Sequence, residues 1–307
     1  MAALQELHTK RLRWIDIPRF GEDELEALRK EFDFHPLDLK ACLPPLQRPR
    51  LVSYPEYSFM ILQFPVYDRN SRKIVAVEVD LFIGKDFLIS VHDGKHPAIG
   101  EFFAQCRQEI SIRNNHLGES VPALLYELLN RLLASVFPML NHVSQDIDGA
   151  EDHILSEDQQ TVITELLILK RNIVNFRKIM QAHKHVIEKL VENHALPLSA
   201  AKLRLYFKGL IEQTKEIWDT LANYQDTVNA LHDAHASLIN TKSNQAVRIL
   251  SAIAVITFPL TLIAAVFAMR TEGMPFVNHP HSFWYVVSGM ALLASTMMIL
   301  FKRRKWL

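Results

Sequence analysis

Two uncharged apolar runs near the C-terminal end constrain this chain more than any other feature. They are ILSAIAVITFPLTLIAAVFAM (residues 249–269) and FWYVVSGMALLASTMMILF (283–301). Neither contains Asp, Glu, Lys, Arg or His. An α-helix rises about 1.5 Å per residue and the hydrocarbon core of a bilayer is about 30 Å thick, so each run is long enough to cross it. A helix at the surface of a soluble core keeps a polar face and does not stay uncharged over that length twice in succession. The runs predict a membrane protein with two spans and both termini on one side.

The formal net charge is zero but unevenly spread. From residue 249 onward Arg270, Lys302, Arg303, Arg304 and Lys305 face one acid, Glu272, whereas the preceding part carries 29 basic and 33 acidic residues, a net of −4. The KRRK tail after the second run predicts a cytoplasmic anchor. Two spans then place the long N-terminal part in the cytoplasm as well, with Lys242 and Arg248 flanking the first span on that side and residues 270–282 facing outward. Trp284, Tyr285 and Trp306 sit at the run ends, where amphipathic rings favour the headgroup level. The N-terminal stretch MAALQELHTKRLRW has no apolar segment, so no signal peptide is expected. Cys42 and Cys106 both fall in the cytoplasmic part at no metal-binding spacing and read as structural thiols.

The expected class is an α+β membrane protein, with a cytoplasmic α/β domain over 1–120 and a cytoplasmic helical hairpin over 121–198. A stalk helix plus first span follow over 199–269, a periplasmic loop over 270–282, a second span over 283–301 and a basic tail over 302–307. EDELEALRKEF reads as a helix; YSFMILQFPVYD, KIVAVEVDLFIG and DFLISVHD, rich in Val, Ile, Phe and Tyr, read as strands. ALLYELLNRLLASVFPMLNHVSQDIDGAEDHIL predicts one amphipathic helix kinked at Pro138, and ITELLILKRNIVNFRKIMQAHKHVIEKLV another. After LPLSAAK, with Ser199 as N-cap, residues up to 269 hold one glycine, Gly209, and one proline, Pro259. One helix of roughly 105 Å is therefore expected to run into the membrane. Such a helix needs partners for its apolar stripe, and a ring of identical subunits around an axis supplies them. An ion channel or transporter lined by this helix is the leading reading.

The stretch NQAVRILSAIAVITFPLTLIAAVFAM, the EGMP that follows and the ending KRRKWL resemble the CorA family of magnesium and divalent-cation transporters, the two-span GxN family. HPLDL, LQRPRLVSYPEYSFMIL, DLFIGKDFLISVHD and LILKRNIVNFRK resemble segments of its N-terminal sheet and middle hairpin, so the likeness covers most of the chain. The resemblance implies a homopentamer in the lipid bilayer that passes divalent cations: magnesium by family, with cobalt, nickel or zinc as alternatives. No phosphate-cradling glycine loop, nucleophile constellation or nucleic-acid-binding stripe stands out, so no enzyme activity, no nucleic-acid partner and no cofactor beyond the cation as substrate or ligand are expected. Helical spacing on the first span gives the candidate lining Asn244, Val247, Leu250 or Ser251, Ala254, Phe258 and Thr261, continuing to Met269 and Arg270. Rings of Leu250 and Phe258 would gate by dewetting and Asn244 would form the polar inner mouth; ordinary packing between spans is the competing explanation, above all for Phe258.

Where the family carries Gly-Met-Asn, this chain carries Ala268, Met269 and Arg270. The family's Asn offers an amide carbonyl to a hydrated cation, whereas Arg offers donors only. At ~7 Å each Arg repels a divalent cation by about 1 kcal/mol even in water's dielectric. Either Arg270 faces the pathway, as arginine rings do in anion pores, or it pairs with Glu272 or lipid headgroups. Second, where members carry Y-F-R-D-V-x-D-H, with a magnesium-sensing first Asp, this chain reads Tyr206, Phe207, Lys208, Gly209, Leu210, Ile211, Glu212, Gln213. Only Glu212 remains acidic, which puts magnesium sensing between subunits in question.

Weak metal candidates are Asp146 and Asp148, in a cluster with Glu151 and Asp152, then Glu212 and the stalk pair His232 and His235. His279 and His281 in the outer-mouth loop, with Glu272, form a second histidine pair that incoming cations would meet first. Solvated charge and incidental histidines are the plainer explanations, since no pair has a third ligand at familiar spacing. The alternative to a divalent-cation channel is a CorA-like scaffold or regulator that does not conduct, or a pathway of altered selectivity.

Overall fold

The computed structural model describes residues 4–9, 12–109, 111, 113, 120–154, 159–192, 201–269 and 281–304. Contacts divide the chain into two units, Met1–His232 and Asp233–Leu307.

The first unit opens with β1 (Gln5–His8), β2 (Arg13–Ile17), α1 (Glu22–Glu31), α2 (Pro36–Ala41), β3 (Arg50–Ser53), β4 (Ser58–Asp68), β5 (Lys73–Ile83) and β6 (Phe87–His92). The six strands form one sheet in the order β1-β2-β6-β5-β4-β3, antiparallel throughout except for the parallel β2–β6 pair. Side chains alternate across a pleated strand, so β4 sends Phe59 and Ile61 to one face and Met60, Leu62 and Phe64 to the other. Both faces are covered, which is why the central strands read as nearly continuous apolar runs. α1 and α2 contribute Leu28 and Leu39 to the smaller core on one face. The three long strands match the sequence expectation; β1, β2, β3 and α2 are additions too short to carry a periodic signal.

The other face carries α3 (Pro97–Gln108), α4 (Val121–Ala134), α5 (Val136–His153), α6 (Gln159–Met180) and α7 (His183–Glu192). Two expected helices are each divided. The first breaks at Ser135, three residues before Pro138, because a proline ring clashes with the carbonyl four residues back, here that of Ala134. The second breaks at residues 181–182, before the fully buried His183. α6 is stapled to the sheet: Asn172 Oδ1 accepts the Ile74 amide at 3.2 Å, its Nδ2 donates to the Arg72 carbonyl at 3.2 Å, and Arg72 grips Glu165 through two hydrogen bonds of 3.0 and 2.6 Å.

Three helical stretches are long and apolar enough to cross a membrane by composition: Val121–His153, Leu203–Ala268 and Ser282–Arg303. The first is accounted for otherwise, since Leu124, Leu125, Leu128, Leu129, Leu132 and Leu133 have no exposed surface and fill the core beneath the sheet.

α8 (Ala201–Ala268) is a single helix of 68 residues, as expected, with Pro259 inside it. The expected cap Ser199 lies outside the described residues. Within the first unit Phe207, Leu210, Ile217, Leu221 and Val228 are buried against the large core at heptad-like spacing. The second unit holds the remainder of α8 and α9 (Ser282–Arg303).

Candidate functional site

At about 100° per residue, Asn244, Val247, Leu250, Ser251, Ala254, Phe258 and Thr261 fall within about 120° of arc on α8. Apart from the half-buried Ala254 this face is open: Val247 is 57% exposed, Leu250 67% and Phe258 74%. The opposite face is occupied. Ala252 is buried, and Ile256, Pro259, Leu260 and Ile263 are half-buried. On α9 the half-buried residues Val286, Met290, Leu293, Met297 and Phe301 repeat at helical spacing. Ile263 and Phe267 share with Tyr285, Val286, Gly289 and Met290 an apolar cavity of about 740 Å³ between the two helices. The candidate lining thus lies on the side of the first span turned away from the second.

Polar groups on this face are shaped by the backbone. Pro259 has no N–H, so the Val255 carbonyl loses its helical donor. The hydroxyl of Thr257 donates to the Ile253 carbonyl at 2.5 Å and that of Thr261 to the Thr257 carbonyl at 2.9 Å. A hydroxyl whose proton is spent on its own helix presents oxygen lone pairs outward, suited to a cation or its water shell. Met269 follows the helix and is 60% exposed. Arg270, Glu272 and His279 lie outside the described residues; His281 is exposed just before α9.

The weak metal candidates do not come together. Asp146 and Asp148 point about 200° apart around α5. Asp146 borders a cavity of about 500 Å³ with Arg72, His153 and Glu165, where partial desolvation raises its carboxyl; both aspartates are exposed. Glu212 and His232 are exposed, whereas His235 is buried with its Nε2 unpartnered. Among the described residues no three His, Cys, Asp or Glu side chains converge as a metal site.

Sequence reasoning missed a second concave place, in the first unit. Cys42, Glu78 and Asp80 border a cavity of about 480 Å³. Burial lifts the Cys42 thiol far above its ordinary range and the Glu78 carboxyl to about 7. The available signal was two acids alternating with valines in VAVEVDLF, a strand otherwise built for burial.

A profile described as CorA-like Mg2+ transporter protein matches residues 9–303. The cobalt/magnesium transport protein CorA of Thermotoga maritima is 28% identical over 296 residues, covering 96% of this chain and 83% of its own. The cobalt/magnesium transport protein CorA of Methanocaldococcus jannaschii is 25% identical over 299 residues, covering 97% and 92%. The complete structure of the CorA magnesium transporter from Methanocaldococcus jannaschii superposes with a TM-score of 0.86 at 25% identity, covering 99% of this chain and 95% of that one.

Proposed function

This chain belongs to the CorA-like Mg2+ transporter family, and on that premise we propose that it forms a homopentameric channel for divalent cations, with the open face of α8 lining the axis. It is a multi-pass inner-membrane protein with a cytoplasmic domain, and a transporter rather than an enzyme. The carrying observation is the face from Asn244 to Thr261. It is left exposed on the side of the first span that α9 does not cover, and five copies around an axis would bury it. Asn244 then forms the inner polar mouth, Leu250 and Phe258 the hydrophobic constrictions, and the Thr261 oxygen an acceptor ring.

Direction of ion movement follows the electrochemical gradient. Magnesium is the first cation to expect, with cobalt, nickel and zinc next. Arg270 in place of an acceptor amide favours a second reading, a pathway of weakened or altered selectivity, down to a non-conducting scaffold. Flux into liposomes carrying the purified protein, run separately with Mg2+, Co2+, Ni2+, Zn2+ and chloride, distinguishes the two. Divalent flux supports the channel; chloride flux or none at all supports the second reading. A native mass of one or two subunits would contradict the assembly.

A further inference from the structure

Where β5 passes beneath the C-terminal end of α2, an acid pair borders a cavity without forming an ion pair. Glu78 and Asp80 are two apart on one strand and so share a face. Asp80 is 3% exposed, borders the cavity, and its Oδ1 has no hydrogen-bond partner. Glu78 accepts one hydrogen bond, from the Gln47 amide. The Cys42 thiol donates to the Asp38 carbonyl at 3.4 Å. The same thiol also lies against the Asp80 side chain and lowers its carboxyl, but a buried carboxylate oxygen without a donor is costly, and such sites in native proteins call for an explanation.

The neighbouring charges leave the pair under-compensated. Arg50 is close enough to lower both carboxyls but forms no ion pair with either. Lys95 is engaged by Asp93 at 2.9 Å, and His92 Nε2 is held by Asp16 at 3.2 Å. With both acids ionised, the end of the cavity carries two negative charges against one positive, a deficit of one cation. Burial pushes both carboxyls above the usual range, and the neighbouring Glu78 adds to the effect on Asp80.

Two observations define the kind of cation that fits. The side chains do not converge as a set of three metal ligands, so a bare metal ion is not what the geometry is built for. The volume, about 480 Å³, is that of a small-molecule pocket. Its remaining wall is largely apolar, from Phe20, Leu43, Pro44 and Leu46. We propose that this cavity binds a small organic monocation, an alkylammonium whose head sits against Asp80 and Glu78 and whose hydrocarbon body lies on the proline-bearing wall. A primary ammonium brings three donors and one charge, matching the unpaired oxygens and the deficit.

The test is thermal melting of the full-length protein in detergent, titrated with n-butylammonium chloride, with n-butanol, NaCl and ZnCl2 as comparisons. A ligand that binds only the folded state raises the midpoint saturably. n-Butylammonium is expected to do so, and n-butanol and NaCl are not. Asp80→Asn and Glu78→Gln should each raise the half-saturating concentration at least tenfold, while Glu56→Gln, an exposed acid outside the cavity, should leave it within twofold. The melting curves themselves report whether each variant folds. Equal half-saturation in wild type and Asp80→Asn would overturn the proposal, as would the absence of a saturable response to the amine. A response to Zn2+ alone that depends on Asp80 would overturn it in favour of a metal.

Discussion

Asp16 on β2 and His92 at the end of β6 meet at 3.2 Å inside the sheet, each side chain 3% exposed. The His92 Nδ1 accepts the Gly94 amide, so the ring proton sits on Nε2 and is donated to Asp16. Ser90 donates its hydroxyl to the same carboxylate, and the Trp14 indole donates to Ser90 at 3.1 Å. This chain of bonds ties β2 to β6, the one parallel pairing in the sheet.

Removing Asp16 should therefore loosen the first unit. Asp16→Ala strands two buried donors, a loss of about 2–3 kcal/mol. In a unit of this size that lowers the melting midpoint by about 5–10 °C. Differential scanning fluorimetry in detergent reads it. A change of less than 2 °C would show that the network is not what joins these strands.

Arg270 is expected to restrict divalent entry. Arg270→Asn, combined with Ala268→Gly, replaces a ring of positive charge by acceptor amides and should raise magnesium flux into liposomes severalfold. Equal flux in wild type and variant would place Arg270 away from the pathway.

Magnesium is expected to protect this protein little. By the resemblance of its surroundings to the family's sensing motif, Gly209 in the long helix is expected to stand where the sensing acid would be. From zero to millimolar magnesium the melting midpoint and protease resistance should stay nearly constant. Gly209→Asp should restore protection. The added Cβ would meet no atom within 4 Å, and replacing a mid-helix glycine costs the helix nothing. Strong magnesium protection of the wild type that survives Glu212→Ala would point to another acidic cluster, such as Asp146 and Asp148.

Two buried histidines should make the fold acid-sensitive. His96 and His183 both turn an edge toward Phe64, at ring-centre distances of 5.7 and 5.0 Å. Burial holds each imidazole down to about 4. The unfolded chain protonates these groups below about 6.5. Between about 4 and 6.5 the unfolded state thus binds more protons, and their contribution, on the order of 3 kcal/mol each, is lost as pH falls through that window. Glu78 acts oppositely. Its folded value of about 7 lies above its ordinary one, so its contribution is lost as pH rises through 4.5 to 7. His183→Leu should accordingly gain midpoint relative to wild type at pH 5 compared with pH 8, and Glu78→Gln should gain more at pH 8. Parallel pH profiles for wild type and both variants would contradict this assignment.

Much of the architecture was legible because it is local. Strand alternation located β4, β5 and β6, and the absence of proline between residues 201 and 258 pointed to the long helix. The candidate lining was legible as a helical arc, since spacing alone decides which residues share a face. Asp80 was not legible. Its neighbours Cys42 and Arg50 arrive from α2 and β3, elements brought beside β5 only when the sheet assembles.

The sequence by itself determined that two segments belong in a membrane and that one uninterrupted helix leads into the first, because uncharged length and helical continuity are properties of a single segment. Tertiary structure alone decided which core the leucine-rich helix α4 fills, the larger one on the face of the sheet away from α1 and α2. It alone decided that α9 covers one side of α8 and leaves the other open, and that an acid pair borders a cavity. Each of these depends on which surface meets which, and burial is settled between elements rather than within one.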